Sequence, residues 1–142
     1  MHIKEINMDK ISNGKMFGTI DIYAEGWETR YSWGHTAEVS VNFETVARAK
    51  IRYYNRTWES YRFQSVIHSA LHGYVTATLG IDPHKAVGKR DATPMKGKDA
   101  EARRLARLDA VQFAKTIYNR LCAIVDGTAT EKDFEKIAAK VA

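Results

Sequence analysis

The hydrophobic period of this chain changes near residue 63, and this change constrains the fold more than any other feature. Before it, apolar residues alternate with polar ones in short segments separated by turn residues, whereas after it they recur at spacings of three and four. The first pattern is typical of strands with one buried face, and the second of amphipathic helices. Strands followed by helices predict an α+β domain. A length of 142 residues suits one compact unit, so we predict a single domain over residues 1–142.

The alternating segments predict an N-terminal antiparallel sheet of about five strands. The clearest one spans 37–44 and alternates without a break. In segment 15–23, Met16, Ile20 and Ile22 share one face, and Glu25-Gly26 is expected to form a turn after it. Further strands are expected over 47–54 and 57–62, joined by a tight turn at Asn55-Arg56.

The strand predicted over 47–54 carries a cationic stripe. Arg48, Lys50 and Arg52 share one of its faces. The run 50–63, which contains part of this stripe, holds four cations and five aromatic residues. Aromatic faces beside phosphate-binding charges suit a nucleotide or a nucleic acid. A hairpin whose tyrosines pack and whose arginines face water explains the same run equally well, so both interpretations stand at this point.

Two long helices and a short C-terminal one are predicted after the change of period. The first long helix spans 63–78 and ends at Gly80, and the short one begins at Thr130. The connection 81–98 between the two long helices follows neither period. A connection of this length inside a small domain is usually functional or mobile.

Asp99 is expected to be the N-cap of the second long helix, which would run to about Val125 and end at Gly127. Its apolar stripe is longer than a small sheet can cover, so the remainder should pack against the other helices or against the same helix of a second copy, and we predict a homo-oligomer. The stripe includes Leu105, Leu108, Val111, Ile117, Tyr118 and Leu121.

The first turns of this helix are rich in arginine. Arg103 and Arg107 lie one turn apart, and the helix N-terminus adds positive potential, so these residues could bind a phosphate group. The chain carries 22 Lys and Arg against 17 Asp and Glu, and a net charge of +5 favours a polyanionic partner. Pairing with Glu101, or simple solvation, explains the same pattern.

An aromatic cluster precedes the clearest strand. Trp27, Tyr31 and Trp33 lie close together in the sequence, beside Arg30. If exposed, the cluster would form a stacking surface or a protein interface, and if buried it would belong to the core.

The sequence contains no recognisable catalytic motif. One cysteine, Cys122, excludes an intramolecular disulfide and a cysteine-based zinc site, and it fits a reducing cytoplasm. His68 and His72 have the spacing of two metal ligands on a helix, but packing or a hydrogen bond also explains them. We therefore expect a binding protein and not an enzyme, with no cofactor, no metal and no membrane span.

The pattern from Tyr54 to Val66, YNRTWESYRFQSV, resembles a recurrent signature of small phage-encoded accessory proteins. Within that group, the layout of an N-terminal sheet and C-terminal helices with paired arginines is similar to the anti-Thoeris sponge proteins. The resemblance implies a phage-type protein in the host cytoplasm that binds a phosphate-containing nucleotide, and thereby sequesters a defence signal, without turning it over. The alternatives are a DNA- or RNA-binding accessory protein and an anti-CRISPR-like inhibitor of a host defence protein.

The candidate ligand-binding residues are cationic or aromatic and lie on the long helix, on the connection before it, or near the predicted hairpin turn. They are Arg103, Arg104, Arg107, Lys89, Arg90, Lys96, Tyr54, Arg56 and Trp58.

Overall fold

The computed structural model describes residues 2–42, 44–53 and 61–127. Over these residues it confirms the α+β class, with an antiparallel sheet followed by helices. The described sheet has four strands in the order β1-β2-β3-β4. The elements are β1 His2–Asn7, α1 Met8–Ile11, β2 Thr19–Glu28, β3 Trp33–Val41, β4 Glu44–Tyr53, α2 Tyr61–Leu79, α3 Lys89–Ala92 and α4 Lys98–Asp126.

The core lies between one face of the sheet and α2. Helix α2 packs mainly on β3 and β4, and α4 packs on α2. Alternation along the strands directs apolar side chains towards α2, and the helical period of α2 and α4 supplies matching apolar faces. The residues of segment 15–23 that were expected to share a face are all buried. The buried core includes Met16, Ile20, Ile22, Ala37, Val39, Val66, Leu71, Val75, Ile117 and Leu121.

The other face of the sheet carries polar, charged and aromatic side chains. On β4, Ala49 and Ile51 pack against the core, and Arg48, Lys50 and Arg52 are exposed on the opposite side, as predicted. We call this side, which also carries Tyr23 and Trp27 of β2, the outer face.

The sheet differs from the prediction in several places. Segment 37–44 is not a single strand, because β3 ends at Val41 and β4 begins at Glu44, with Asn42 at positive φ between them. Strand β1 was missed. Glu25 and Gly26 form no turn, because they pair with Thr36 and His35 inside β2 and β3. The end of the predicted strand 57–62 is wrong, since helix α2 already begins at Tyr61. The rest of that strand and the turn at residues 55–56 lie outside the described residues.

The helix boundaries are close to those predicted, with one cap misassigned. Gly80 and Gly127 both have positive φ and close α2 and α4, as expected. Asp99 is not the N-cap: Gly97, two residues earlier, occupies that position, and α4 begins at Lys98. The connection between the long helices contains the short helix α3. The final helix expected from Thr130 lies outside the described residues.

Candidate functional site

Arg104 of the predicted arginine site is only 7% exposed, and its hydrogen bonds are to other residues of the chain. Its guanidinium donates to both oxygens of Glu101, at 2.8 Å and 2.5 Å, and to the backbone carbonyl of Asp91 at 2.9 Å. Glu101 also accepts the backbone N–H of Met95 at 2.6 Å. The hydrogen bonds from Arg104 and Met95 lower the pKa of Glu101 to about 2. Arg104 therefore ties the connection before α4 to the helix, and a ligand cannot reach it freely.

Arg107 also binds the connection before α4, but its side chain stays partly exposed. Its Nη2 and Nε atoms lie 2.7 Å and 3.2 Å from Asp91 Oδ1, and its side chain is 40% exposed. The hydrogen bond from Arg107 lowers the pKa of Asp91, so the pair is ionic at neutral pH. A ligand at Arg107 would therefore have to compete with a carboxylate.

The remaining cations of this predicted site lie on the surface. Arg103 is exposed and forms no ion pair with any residue that the structure describes. Lys89 and Arg90 of α3 and Lys96 are exposed as well. The structure thus brings Arg104 and Arg107 together around Asp91, while the others are solvated. Tyr54, Arg56 and Trp58 lie outside the described residues.

A cleft of about 530 Å³ lies between the connection and α4. Lys85 and Arg107 are its cationic residues and Asp82 and Asp91 its acidic ones, while Val87, Leu108 and Val111 form part of its apolar wall. Arg107 thus belongs both to an ion pair and to a cavity with room for a small molecule.

The outer face of the sheet provides a second cationic surface. Arg48 is neutralised there, because its Nη2 and Nε atoms lie 2.6 Å and 3.0 Å from Glu38 Oε2. Thr45 donates to the other oxygen of Glu38 at 2.9 Å. These hydrogen bonds, that of Thr45 first, lower the pKa of Glu38. The cationic stripe on β4 therefore contributes fewer available charges than its sequence indicates.

Lys50 and Arg52 differ from Arg48, since no described carboxylate pairs with either. Both contact Trp27 instead. Lys50 Nζ lies 4.8 Å from the ring centroid of Trp27, and Arg52 Cζ lies 5.7 Å from it. Distances below about 6 Å are those of cation–π contacts. We call Trp27, Lys50 and Arg52 the indole platform.

The platform depends on Gly34. Trp27 pairs with Gly34 across β2 and β3, and Gly34 pairs with Arg52 across β3 and β4. A Cβ atom at residue 34 would lie 2.7 Å from Cζ2 of Trp27, which is too close for any side chain. The absence of a side chain at Gly34 lets the indole lie against the sheet, next to the two cations.

The loop between β2 and β3 adds another cation–aromatic pair near the platform. Tyr31 is 75% exposed, and Arg30 Cζ lies 5.4 Å from its ring centroid. Thr29 and Ser32 close this loop with a backbone hydrogen bond of 2.6 Å and with their side chains. The aromatic cluster expected from the sequence is therefore divided: Tyr31 is exposed, and Trp27 and Trp33 are half-buried.

The two histidines of α2 each meet an aspartate. His68 Nε2 lies 2.9 Å from Asp126 Oδ1, and His72 Nε2 lies 2.7 Å from Asp82 Oδ1. The ring of His72 also stacks on that of His84, with centroids 4.7 Å apart. The hydrogen-bond interpretation of this pair is therefore correct, although the sequence did not indicate the aspartate partners, which are distant along the chain.

The single cysteine, Cys122, is partly buried near Tyr118 and Asp126. Burial raises the pKa of the Cys122 thiol to about 11, so the reactive thiolate is scarce at neutral pH. Cys122 is therefore a packing residue in the described structure and not a candidate nucleophile.

Within the described residues, no helix is both long enough and apolar enough to cross a membrane. Comparisons of the chain with protein-family models, with characterised proteins and with solved structures find no significant match. The interpretation of the site therefore rests on the geometry of its residues.

Proposed function

We propose that this protein binds single-stranded nucleic acid on the outer face of its sheet, without turning it over. The observation that carries the proposal is the indole platform, in which two exposed cations without described carboxylate partners lie against Trp27. Proteins that bind single strands combine cations for the phosphates with aromatic rings on which bases stack.

The charges around the platform favour one direction for a bound strand. Lys50 and Arg52 lie two residues apart on β4, roughly 7 Å, and the pair Arg30–Tyr31 extends the surface beyond the end of the sheet. On β2, Asp21 and Glu25 make the opposite side of the same face acidic. The phosphates of a bound strand would therefore lie along β4, at the end of the face where Trp27 is located, and away from Asp21 and Glu25.

The proposal is tested by fluorescence anisotropy with a labelled single-stranded oligonucleotide at several salt concentrations. Removing one phosphate contact should reduce the slope of log K against log salt by about 0.7. We expect Lys50→Ala and Arg52→Ala each to weaken binding by roughly tenfold to a hundredfold, the effect of losing a charge-assisted hydrogen bond.

Arg48→Ala is the matched control, because it removes a cation of the same strand that Glu38 already neutralises. Its effect should be clearly smaller. If the chain binds no oligonucleotide at low salt, or if the Lys50 and Arg52 variants bind as the parent does, the proposal is wrong.

A compact nucleotide in the cleft is the second candidate, and it keeps the sequence prediction of a sequestering protein. The supporting observation is a cavity of about 530 Å³ in which apolar residues face Lys85 and Arg107. A base would pack on the apolar wall and Lys85 would bind the phosphates, whereas Arg107 would first have to leave Asp91.

Calorimetry with mononucleotides and cyclic nucleotides distinguishes the two candidates. Lys85→Ala should abolish nucleotide binding in the cleft and leave oligonucleotide binding intact, and Lys50→Ala should do the reverse. If neither ligand class binds, inhibition of a host protein is the remaining prediction from the resemblance.

A further inference from the structure

Three potential metal ligands meet at the β1 end of the outer face, away from the indole platform. His2, Glu5 and Asp21 each offer one ligand atom, and these atoms all lie within 4.8 Å of one another. In the described part of the chain, no other group of three histidine, cysteine or acidic residues is as close.

A β-bulge brings these residues together. Residues three apart on a regular strand point to opposite faces, so His2 and Glu5 would normally diverge. Between His2 and Lys4, β1 contains one residue more than β2, since His2 pairs with Tyr23 and Lys4 with Ile22. The extra residue turns His2 onto the same face as Glu5, and bulges commonly reorient side chains at functional sites.

Among the described residues, Asp21 meets only His2, across a long ion pair, and no hydrogen bond compensates Glu5. Glu5 lies directly opposite Asp21, and like charges in this position destabilise a sheet. His2 Nε2 lies 3.4 Å from Asp21 Oδ1, which exceeds the usual hydrogen-bond range of about 2.7–3.2 Å. Two ligands of one tetrahedral Zn²⁺, each about 2.0–2.2 Å from the ion, lie roughly 3.3–3.6 Å apart. The observed spacing is that of a loose ion pair, and it also fits two ligands of a shared cation.

We propose that His2, Glu5 and Asp21 bind Zn²⁺, with solvent at the fourth position. One imidazole and two carboxylates form a ligand set that zinc accepts, and the ion would relieve the repulsion between Glu5 and Asp21. The ring of Tyr23 lies 5.0 Å from that of His2 and restrains the imidazole. Because the side chain of His2 is 45% exposed, an ion could reach the site from solvent.

The site is tested by isothermal titration of ZnCl₂ into the untagged full chain, and by Co²⁺ substitution followed by visible absorption spectroscopy. We expect one equivalent of Zn²⁺ to bind and the Co²⁺ spectrum to be that of a four-coordinate ion. His2→Ala, Glu5→Gln and Asp21→Asn should each weaken binding at least tenfold. Glu5→Gln and Asp21→Asn keep the shape of the side chain, so the circular dichroism spectra of these two variants should match that of the parent.

Two variants serve as controls. His84→Ala removes the imidazole that stacks on His72, far along the chain from the proposed site. Glu25→Gln removes a carboxylate from the same strand as Asp21. Neither change should affect Zn²⁺ binding. The proposal is overturned if the parent chain takes up no Zn²⁺, if Glu5→Gln and Asp21→Asn bind as tightly as the parent, or if His84→Ala is the variant that loses the ion.

Discussion

The indole of Trp27 lies over Gly34, with Cζ2 only 2.7 Å from the position that a Cβ at residue 34 would occupy. The carbonyl oxygen of Ile51 is even nearer to that position. A side chain at residue 34 would thus collide with the aromatic ring on β2 and with the backbone of β4 at once. The indole platform therefore requires glycine at this position for steric reasons.

Replacing Gly34 with Ala should therefore displace Trp27 and strain the pairing of β3 with β4. We expect a loss of stability of about 1–3 kcal/mol, typical of overpacking, in urea denaturation. The same variant should weaken oligonucleotide binding. Gly88→Ala is the control, because no atom lies within 4 Å of its Cβ position, and it should change neither property.

Two leucines of α4 should respond differently to truncation. Leu121 lies on the buried face of α4 and is fully buried in the core. Leu121→Ala should therefore lower the free energy of unfolding by about 2–5 kcal/mol. Leu105 was predicted to belong to the same apolar stripe but is 52% exposed, so Leu105→Ala should remain within about 0.5 kcal/mol of the parent. Equal losses in chemical denaturation would contradict this assignment of the buried face.

Arg103 and Arg104 are neighbours in sequence with opposite roles. Arg104→Ala removes the hydrogen bonds to Glu101 and to the carbonyl of Asp91, so we expect a clearly lower melting temperature. Arg104→Lys should not restore it, because an ammonium group cannot reproduce the bidentate contact. Arg103→Ala should melt as the parent does in differential scanning fluorimetry. A drop of similar size for both variants would refute the distinction.

The Glu101 carboxylate makes stability depend on pH in acid. Its pKa is about 2 in the folded chain against an ordinary value of 4.5, so the unfolded chain binds a proton first as the pH falls. Its contribution to stability is fully present above about pH 5 and is lost as the pH falls towards 2.

The melting temperature of Glu101→Gln should therefore be lower than that of the parent at pH 7, and the difference should shrink between pH 5 and pH 2. Glu28→Gln, at an exposed position, should show no such convergence. A constant difference for Glu101→Gln across this range would show that the carboxylate charge is not the cause.

The sequence predicted those parts of the fold that are encoded locally. The alternation in β3 and β4 and the helical period of α2 and α4 appear in short windows, and Gly80 and Gly127 mark helix ends by their own conformational preference. Strand β1 escaped prediction because its bulge interrupts the alternation that identifies a strand.

The candidate site was less predictable, because its properties depend on contacts between distant residues. Arg107 meets Asp91, sixteen positions away, and Arg48 meets Glu38 on the next strand. These carboxylates decide which cations are available to a ligand. The sequence indicated correctly which residues of the stripe are charged. It could not show that Arg48 is paired with a carboxylate while Lys50 and Arg52 contact Trp27.

Strand β4 is the last strand of the described sheet, and an edge strand can pair with the edge of another molecule. If two copies met along β4, Lys50 and Arg52 of one copy would come close to those of the other, and the like charges would repel. The same side chains that we propose as phosphate contacts therefore also discourage association of the sheets.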